Sequence, residues 1–204
     1  MAGTPHPLSP DETASRLRAH FGEDIVDAVD QHGHAVATVT VDRFHDVCRF
    51  LRDEPDFACD YCDFTGAVDF GSEGGFEVVT HLFSTTHHHN VRVKVKLPHE
   101  DPVCPTISDL FPTSNWHERE TIEMFGISFE GHPQPIKLLL SEPFEGYPLR
   151  KDFVLATRVA KPWPGAKEPG ESHVEGTAKR QPMRPPGVPA PGEWGPAAAP
   201  GGDD

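Results

Sequence analysis

The stretch Val91-Arg-Val-Lys-Val-Lys-Leu97 alternates apolar and basic side chains from end to end. Successive side chains of a β-strand point to opposite faces, so this alternation predicts a strand with one buried and one solvent-facing side. A sheet that is covered by helices on one side only is the α+β arrangement. The stretch therefore predicts an α+β fold, in which a mixed or antiparallel sheet carries its helices on one face.

Helix and strand patterns precede this strand in the chain. Ser9 and Glu12 predict a capping box at the start of a helix that ends at Gly22. Apolar side chains at i, i+3, i+4 and i+7 predict a second helix that begins near Phe44. Strands are predicted over four further ranges: Asp24–Val29, His34–Thr40, Phe57–Phe64 and Phe76–Ser84.

The composition separates the chain into two parts. Residues 1–158 carry most of the net charge of −14, whereas residues 159–204 contain 10 Pro and 8 Gly with few large apolar side chains. Such a segment cannot bury enough apolar surface to offset the entropy of ordering it. We therefore predict a folded α+β domain over residues 1–158 and an extended or disordered Pro/Gly-rich tail over residues 159–204. Trp163 and Trp194 are the large side chains with which the tail would anchor to a partner. The alternative is a solvated extension that docks on no partner.

The charge and the hydropathy pattern exclude several classes of protein. Nucleic-acid backbones require clustered Lys and Arg, which a chain of net charge −14 does not favour. No run approaches the roughly 18 apolar residues that a membrane helix needs. The N-terminus lacks both the apolar core of a signal peptide and an Arg-rich presequence. The sequence thus predicts a cytosolic protein with no nucleic-acid partner and no transmembrane segment.

Two clusters suggest metal or redox chemistry at first sight. Cys59 and Cys62 have C-x-x-C spacing, but they lie in a strand-like run, where residues three apart point to opposite faces. His87, His88 and His89 are consecutive, and consecutive side chains rarely reach one ion. The cysteines are therefore interpreted as small buried apolar residues. The residues predict no catalytic, cofactor-binding or metal site, although a role of either cluster stays open.

The densest charged stretch, Trp116–Gly126, lies on the last predicted helix. Asn115 and Glu118 predict a capping box at the start of this helix. Arg119 and Glu123 stand four residues apart, where they can form an ion pair. Local physics favours a solvated acidic face on an amphipathic helix. The alternative is a pair of catalytic carboxylates, although no nucleophile or cofactor loop lies nearby in the sequence.

Two motifs in this part of the chain resemble those of a known family. The first motif comprises Glu118-Arg119-Glu120, Glu123-Met124-Phe125, His132 and Leu138-Leu139, and the second is Gly146-Tyr-Pro-Leu-Arg-Lys-Asp-Phe153. Both resemble the signature of the C subunit of the proton-pumping NADH:quinone oxidoreductase, respiratory complex I. With the preceding helices and strands, the resemblance covers roughly residues 16–153. One position departs from the family pattern, because Ile136 stands where a basic residue or Pro is usual, with Lys137 beside it.

The resemblance implies a non-catalytic subunit in the hydrophilic arm of that complex. Such a subunit packs against the subunit that forms the quinone site, and it lies peripherally on the cytoplasmic face of the bacterial cell membrane. The complex would carry FMN, iron–sulfur clusters and quinone, and this chain none of them. The motif residues would then belong to the fold or to an interface: Glu118, Arg119, Glu120, Glu123, His132, Arg150, Lys151 and Asp152.

Two other functions stay open at this point. The chain could be the equivalent subunit of a related membrane-bound hydrogenase or of a dehydrogenase complex with another electron donor. It could also be a free-standing metal-dependent enzyme that uses the cysteines and histidines. Neither the donor nor the quinone type can be inferred from a chain that would contact neither.

Overall fold

The computed structural model describes residues 6–154. The chain divides into two units, Met1–Thr157 and Arg158–Asp204, and every described residue belongs to the first. The tail predicted over residues 159–204 lies outside the described residues, so the domain boundary stays a prediction. Within residues 6–154, no helix is long and apolar enough to cross a bilayer.

The described part of the chain contains three α-helices and seven strands. The α-helices are α1 (Pro10–Phe21), α2 (Phe44–Asp53) and α3 (Ser114–Phe125). The strands are β1 (Ile25–Gln31), β2 (His34–Val39), β3 (Tyr61–Asp69), β4 (Phe76–Phe83), β5 (Asn90–Leu97), β6 (Val103–Pro105) and β7 (Ser128–Glu130). Two short 3-10 helices, Gly22–Asp24 and Val41–Arg43, precede β1 and α2.

Five strands form one mixed sheet in the order β1-β2-β5-β4-β3. Neighbouring strands are antiparallel except for β2 and β5, which run parallel. A parallel pair needs a long crossover, and here α2, β3 and β4 supply it. Strands β6 and β7 form a separate parallel pair. The prediction of an α+β fold with a mixed sheet is confirmed.

The core lies between one face of the five-stranded sheet and the helices. The apolar residues of the alternating strand β5 are buried in one cluster with Phe44 and Leu51 of α2 and Leu17 of α1. Each large side chain buried in this way contributes roughly 1.5–3 kcal/mol. The basic residues of β5 remain accessible or partly accessible on the opposite face. The alternation of this strand therefore decides which face of the sheet receives the helices.

The sequence predicts the start of α1 correctly but not the start of β3. Ser9 and Glu12 form the predicted capping box of α1. Strand β3, by contrast, begins at Tyr61 and not at the predicted Phe57, because the chain turns after α2 with a positive φ of 42° at Ala58.

The later start of β3 corrects the argument about the two cysteines. Cys59 lies before the strand and Cys62 lies within it. The expectation that strand geometry sends their side chains to opposite faces is therefore wrong, since both side chains are buried in the same core cluster. Their interpretation as small buried apolar residues agrees with this burial.

Candidate functional site

The two sequence motifs lie on α3 and on the loop that follows β7. We call residues 131–154 the motif loop, and it contains neither helix nor strand. The backbone N–H and C=O groups of such a loop lack the partners that a helix or sheet supplies, and leaving them unpaired where they are buried is costly. Charged side chains of α3 supply these partners.

Glu118 fastens α3 to the chain that follows β6. Its carboxylate accepts hydrogen bonds from the hydroxyl of Thr106 and, at 2.9 Å, from the N–H of Ile107. The side chain is fully buried. Burial raises the pKa of Glu118 to about 7, although the hydrogen bonds from Thr106 and Ile107 act to lower it. The group is therefore a buried acceptor whose ionisation falls near neutrality.

The predicted capping box of Asn115 and Glu118 is wrong. Helix α3 begins at Ser114, two residues earlier than that box requires, and Thr113 occupies the N-cap without a side-chain hydrogen bond. Glu118 consequently faces the core instead of the free N–H groups of the first turn. Its partners Thr106 and Ile107 are 12 and 11 residues away in the chain, so the local pattern could not reveal them.

His132 joins the start of α3 to the first residues of the motif loop. Its Nε2 donates to the carbonyl of Asn115 at 3.2 Å, and its Nδ1 accepts from the N–H of Gln134 at 3.0 Å. A ring that accepts at Nδ1 and donates at Nε2 is the neutral Nε2–H tautomer. The same Nε2 lies 3.8 Å from Oε2 of Glu118, so the two motif residues share one buried polar cluster.

Arg119 binds the part of the motif loop that follows His132 and Gln134. Its guanidinium donates from Nε to the carbonyl of Ile136 at 2.9 Å and from Nη2 to the carbonyl of Lys137 at 3.0 Å. The same group lies 5.9 Å from the centre of the Trp116 ring. The predicted ion pair of Arg119 with Glu123 is not formed; both side chains bind backbone groups of the motif loop.

Glu123 binds the next part of the motif loop through consecutive N–H groups. Its carboxylate accepts from the N–H of Leu138, from that of Leu139 at 2.8 Å and from that of Leu140 at 3.4 Å. A buried carboxylate with several N–H donors is held more strongly than a neutral acceptor would be. Arg119 and Glu123 together satisfy the carbonyls and the N–H groups of one turn.

Lys137 closes this turn from within the loop itself. Its ammonium donates to the carbonyls of Ser141, Glu142 and Phe144 at 3.3, 3.1 and 3.0 Å. Ile136, which departs from the family pattern, is exposed. The positive charge of Lys137 therefore binds carbonyl groups of the loop itself, and it stands one residue after the position at which a basic residue or Pro is usual.

Arg150 brings the second motif against the end of α3. Its guanidinium donates to the carbonyls of Phe125 and Gly126 and lies 4.5 Å from the centre of the Tyr147 ring. Gly126 has a φ of 68°, and a Cβ there would stand 2.6 Å from the Tyr147 ring. Position 126 therefore requires glycine both for its backbone conformation and for the approach of the second motif.

The remaining charged residues of the motifs point outward. The side chains of Glu120, Lys151 and Asp152 are exposed. The backbone N–H of Lys151 donates to the carboxylate of Asp69 at 2.7 Å, which holds the second motif at the end of β3. Asp69 was missed at the sequence level because it lies 82 residues from Lys151 in the chain.

The interpretation of α3 as a solvated acidic helix is wrong. Glu118, Arg119 and Glu123 are all buried, because the irregular backbone beside the helix needs charged donors and acceptors. The alternative of a catalytic carboxylate pair gains no support either, since Glu118 and Glu123 bind different backbone segments. Arg119 and Glu123 bind the motif loop, and Glu118 binds the chain that follows β6.

The cysteines and histidines that suggested metal or redox chemistry form hydrogen bonds within the domain. Cys62 accepts a hydrogen bond from the hydroxyl of Ser114 at 3.3 Å. His87 and His89 accept, at Nδ1, hydrogen bonds from the N–H groups of His6 and Leu8, each at 3.3 Å. Among residues 6–154, no group of three or more His, Cys, Asp or Glu side chains has the geometry to hold a metal ion.

Comparison with known sequences identifies relatives of the described domain. A family profile described as "Respiratory-chain NADH dehydrogenase, 30 Kd subunit" matches residues 37–159. The C subunit of the NADH-quinone oxidoreductase of Roseiflexus sp. (strain RS-1) is 41% identical over 141 residues, which are 69% of this chain and 81% of that relative. Its counterpart in Roseiflexus castenholzii is 39% identical over 142 residues, 69% of this chain and 82% of that relative.

Two solved structures have a similar fold. The trypsin-resistant fragment of Nqo5 matches with a TM-score of 0.51 and 25% identity, over 59% of this chain and 96% of that one. A chain of the membrane-bound sulfane sulfur reductase, an archaeal respiratory membrane complex, matches with a TM-score of 0.56 over 71% of this chain and 85% of its own length. At 23% identity, the second match is a similarity of fold alone.

Proposed function

The chain belongs to the family of the 30 kDa subunit of the respiratory-chain NADH dehydrogenase, and from this premise we propose that it is a non-catalytic subunit in the hydrophilic arm of a proton-pumping NADH:quinone oxidoreductase. In that role it supports the subunit that forms the quinone site and helps to assemble the electron-transfer arm. It lies peripherally on the cytoplasmic face of the bacterial cell membrane.

One observation carries this proposal: the charged residues of the first motif are used to shape a loop. Glu118, Arg119 and Glu123 are buried and bind backbone groups, which leaves them no free position to act on a substrate. Glu118 binds the chain that follows β6, whereas Arg119 and Glu123 bind the motif loop. The motif loop presents apolar side chains outward, and Ile136, Leu139 and Leu149 are each more than half exposed. Apolar side chains on a rigid, irregular surface are typical of a protein–protein interface.

The proposal is tested by purifying the complex through a tag on the full-length chain in its native host. We expect subunits that contain flavin and iron–sulfur clusters to co-purify, together with NADH:quinone reductase activity. Replacing Leu139 and Leu149 by serine should weaken the co-purification, whereas Val26→Ser, at an equally exposed apolar position on β1, should leave it unchanged. Recovery of the wild-type chain alone would contradict the proposed function.

The same purification separates the proposal from its nearest alternative. The fold also occurs in the archaeal sulfane sulfur reductase complex, so an equivalent subunit of a complex with another electron donor is the second candidate. In that case the co-purified complex would lack NADH oxidation and would accept electrons from a different donor. A free-standing metal-dependent enzyme would retain activity in the absence of any other subunit.

We also propose that this chain holds no prosthetic group of its own, and that the FMN, iron–sulfur clusters and quinone belong to other subunits. Support comes from the arrangement of the candidate ligands: the four cysteines are buried, and among residues 6–154 no group of three or more His, Cys, Asp or Glu side chains has the geometry to hold a metal ion. Burial raises the pKa of Cys59 to about 12 and raises the pKa of Cys48, Cys62 and Cys104 as well. All four side chains are therefore held as thiols at neutral pH.

The isolated chain is accordingly expected to show no visible absorbance band and to bind no metal tightly. The measurements are an absorbance spectrum and metal analysis of the purified, folded chain. A thiol reagent should react slowly in buffer and rapidly with four thiols in denaturant, the four cysteines of the sequence. An absorbance band from flavin, haem or an iron–sulfur cluster, or about one equivalent of bound zinc, would overturn this prediction.

A further inference from the structure

The face of the five-stranded sheet that lies opposite to the helices carries an open groove. One wall is formed by apolar side chains of β3 and the residue after it, and the other by the basic side chains of β5. Between them, β4 provides the floor. The main part of the groove encloses about 500 Å³. A second, smaller depression adjoins it at Glu77. We call the two together the basic groove; Phe64, Val68 and Phe70 stand on its apolar side, and Arg92, Lys94 and Lys96 stand on its basic side.

The apolar wall is unusually exposed for side chains of this size. Phe64, Val68 and Phe70 have exposed fractions of 49%, 45% and 53%. The Phe64 ring lies across Gly66, where an added Cβ would stand 2.6 Å from the ring. Glycine at position 66 thus leaves the space that the Phe64 ring occupies. A row of this kind, set beside charged groups, is typical of a surface that another protein covers.

The basic wall is not neutralised by the acidic residues of the groove. Lys94 is paired with Glu77 at 2.9 Å, and His81 is paired with Asp63. By contrast, no carboxylate of residues 6–154 lies within 4.0 Å of the charged atoms of Arg92 or Lys96. Within residues 6–154, these two positive charges therefore have no acidic partner, on a chain whose net charge is −14.

The dimensions of the groove limit what can occupy it. Strands β3 and β5 are separated by β4, so the two walls are about 10 Å apart, which is the width of one α-helix or of an extended segment. Arg92 and Lys96 are four residues apart on one strand, a distance of roughly 13 Å. The carboxylates of Asp63 and Glu77 beside the groove disfavour a polyanion such as nucleic acid, and a flat lipid surface cannot fill a concave site.

We propose that the basic groove binds an acidic, amphipathic segment of another subunit of the complex. Its apolar side chains lie against Phe64, Val68 and Phe70, and its carboxylates pair with Arg92 and Lys96. This proposal rests on the proposed function, because the occupant is a neighbouring subunit. It adds a second contact surface, on the opposite face of the sheet from the core that α3 helps to cover.

The first test is zero-length carbodiimide cross-linking of the purified complex, which joins an amine to a carboxylate that is in direct contact with it. We expect mass spectrometry to find Lys96 joined to an Asp or Glu of one other subunit. A Lys96 that is joined only to carboxylates of its own chain, or to none, would overturn the proposal.

The second test is a charge reversal with a charge-conserving control. The double variant Arg92→Glu, Lys96→Glu should reduce the amount of co-purified complex at least tenfold, while the melting temperature of the isolated chain stays close to that of the wild type. The control Arg92→Lys, Lys96→Arg should assemble normally. Normal assembly of the reversed variant would contradict the proposal, as would a loss of binding to vesicles of anionic phospholipid without any change in assembly.

The failure of this inference is distinguishable from failure of the proposed function. If the tagged wild-type chain recovers no other subunit, the proposed function is wrong. If the subunits co-purify but Lys96 is not joined to any of them, only the assignment of the groove is wrong.

Discussion

Replacement of Glu118 by alanine is expected to lower the free energy of unfolding by about 3 kcal/mol at pH 7. The change leaves the hydroxyl of Thr106 and the N–H of Ile107 without their acceptor inside the core, and it opens a cavity where the side chain is fully buried. Relief of the cost of burying a carboxylate offsets part of this loss. Urea unfolding of the isolated chain measures the effect.

The stability of the wild type should also depend on pH through Glu118. The pKa of Glu118 is about 7 in the folded chain and 4.5 in an unperturbed side chain, so the folded state binds the proton more tightly than the unfolded state. The stability that this proton contributes is fully present below pH 4.5, falls as the pH rises to about 7, and is absent above it. The total change is roughly 3 kcal/mol.

Glutamine at position 118 isolates the effect of ionisation. Glu118→Gln keeps one oxygen for the N–H of Ile107 but cannot ionise, so its stability should lack the fall between pH 4.5 and 7. Glu120→Gln is the matched control, because Glu120 is exposed on the same helix, and its effect should stay within about 0.5 kcal/mol. If the wild type and Glu118→Gln unfold with the same dependence on pH, burial does not govern the ionisation of Glu118.

Glu123→Gln is expected to release the motif loop without unfolding the domain. Hydrogen bonds to a charged acceptor contribute about 1.5–3 kcal/mol each, and Glu123 accepts from the N–H groups of Leu138 and Leu139. Hydrogen exchange at these amides should therefore accelerate by roughly 10- to 100-fold. Exchange in the core strand β5 should change far less, because its ladder does not involve the loop.

The control for this experiment again lies on the same helix. Glu120→Gln removes one negative charge from α3 without touching the motif loop, and it should leave the exchange of Leu138 and Leu139 unchanged. Assembly of the complex should weaken with Glu123→Gln and not with Glu120→Gln, since the exposed side chains of Ile136 and Leu139 depend on the loop's shape. Equal exchange rates in both variants would show that other contacts hold the loop.

Patterns between near neighbours in the chain were sufficient to predict most of the fold. The alternation of Val91–Leu97 predicted the covered sheet, and the capping box of Ser9 and Glu12 predicted the start of α1. Both rest on residues that interact within one strand or one helical turn. Strand β3 was misplaced at its start, because the turn at Ala58 depends on how the end of α2 packs.

The motif residues could be named from the sequence, but the contacts that each of them makes could not. The motif spacing indicated Glu118, Arg119, Glu123, His132 and Arg150, and all five meet around α3. Each of them binds at least one backbone group that is between 11 and 25 residues away, and a backbone group has no signature in a sequence. The contact of Asp69 with the second motif was missed for the same reason.

The sequence by itself therefore determined the α+β class, the buried face of the sheet and the family, because each depends on local periodicity or on a motif of fixed spacing. Only the tertiary structure decided that the charges of α3 are buried and not solvated. A helix predicted alone places Glu118, Arg119 and Glu123 in water. The motif loop, which has no hydrogen-bonding ladder of its own, makes the burial of Arg119 and Glu123 favourable by supplying N–H and C=O groups that need charged partners. The chain that follows β6 supplies the donors for Glu118, namely the hydroxyl of Thr106 and the N–H of Ile107.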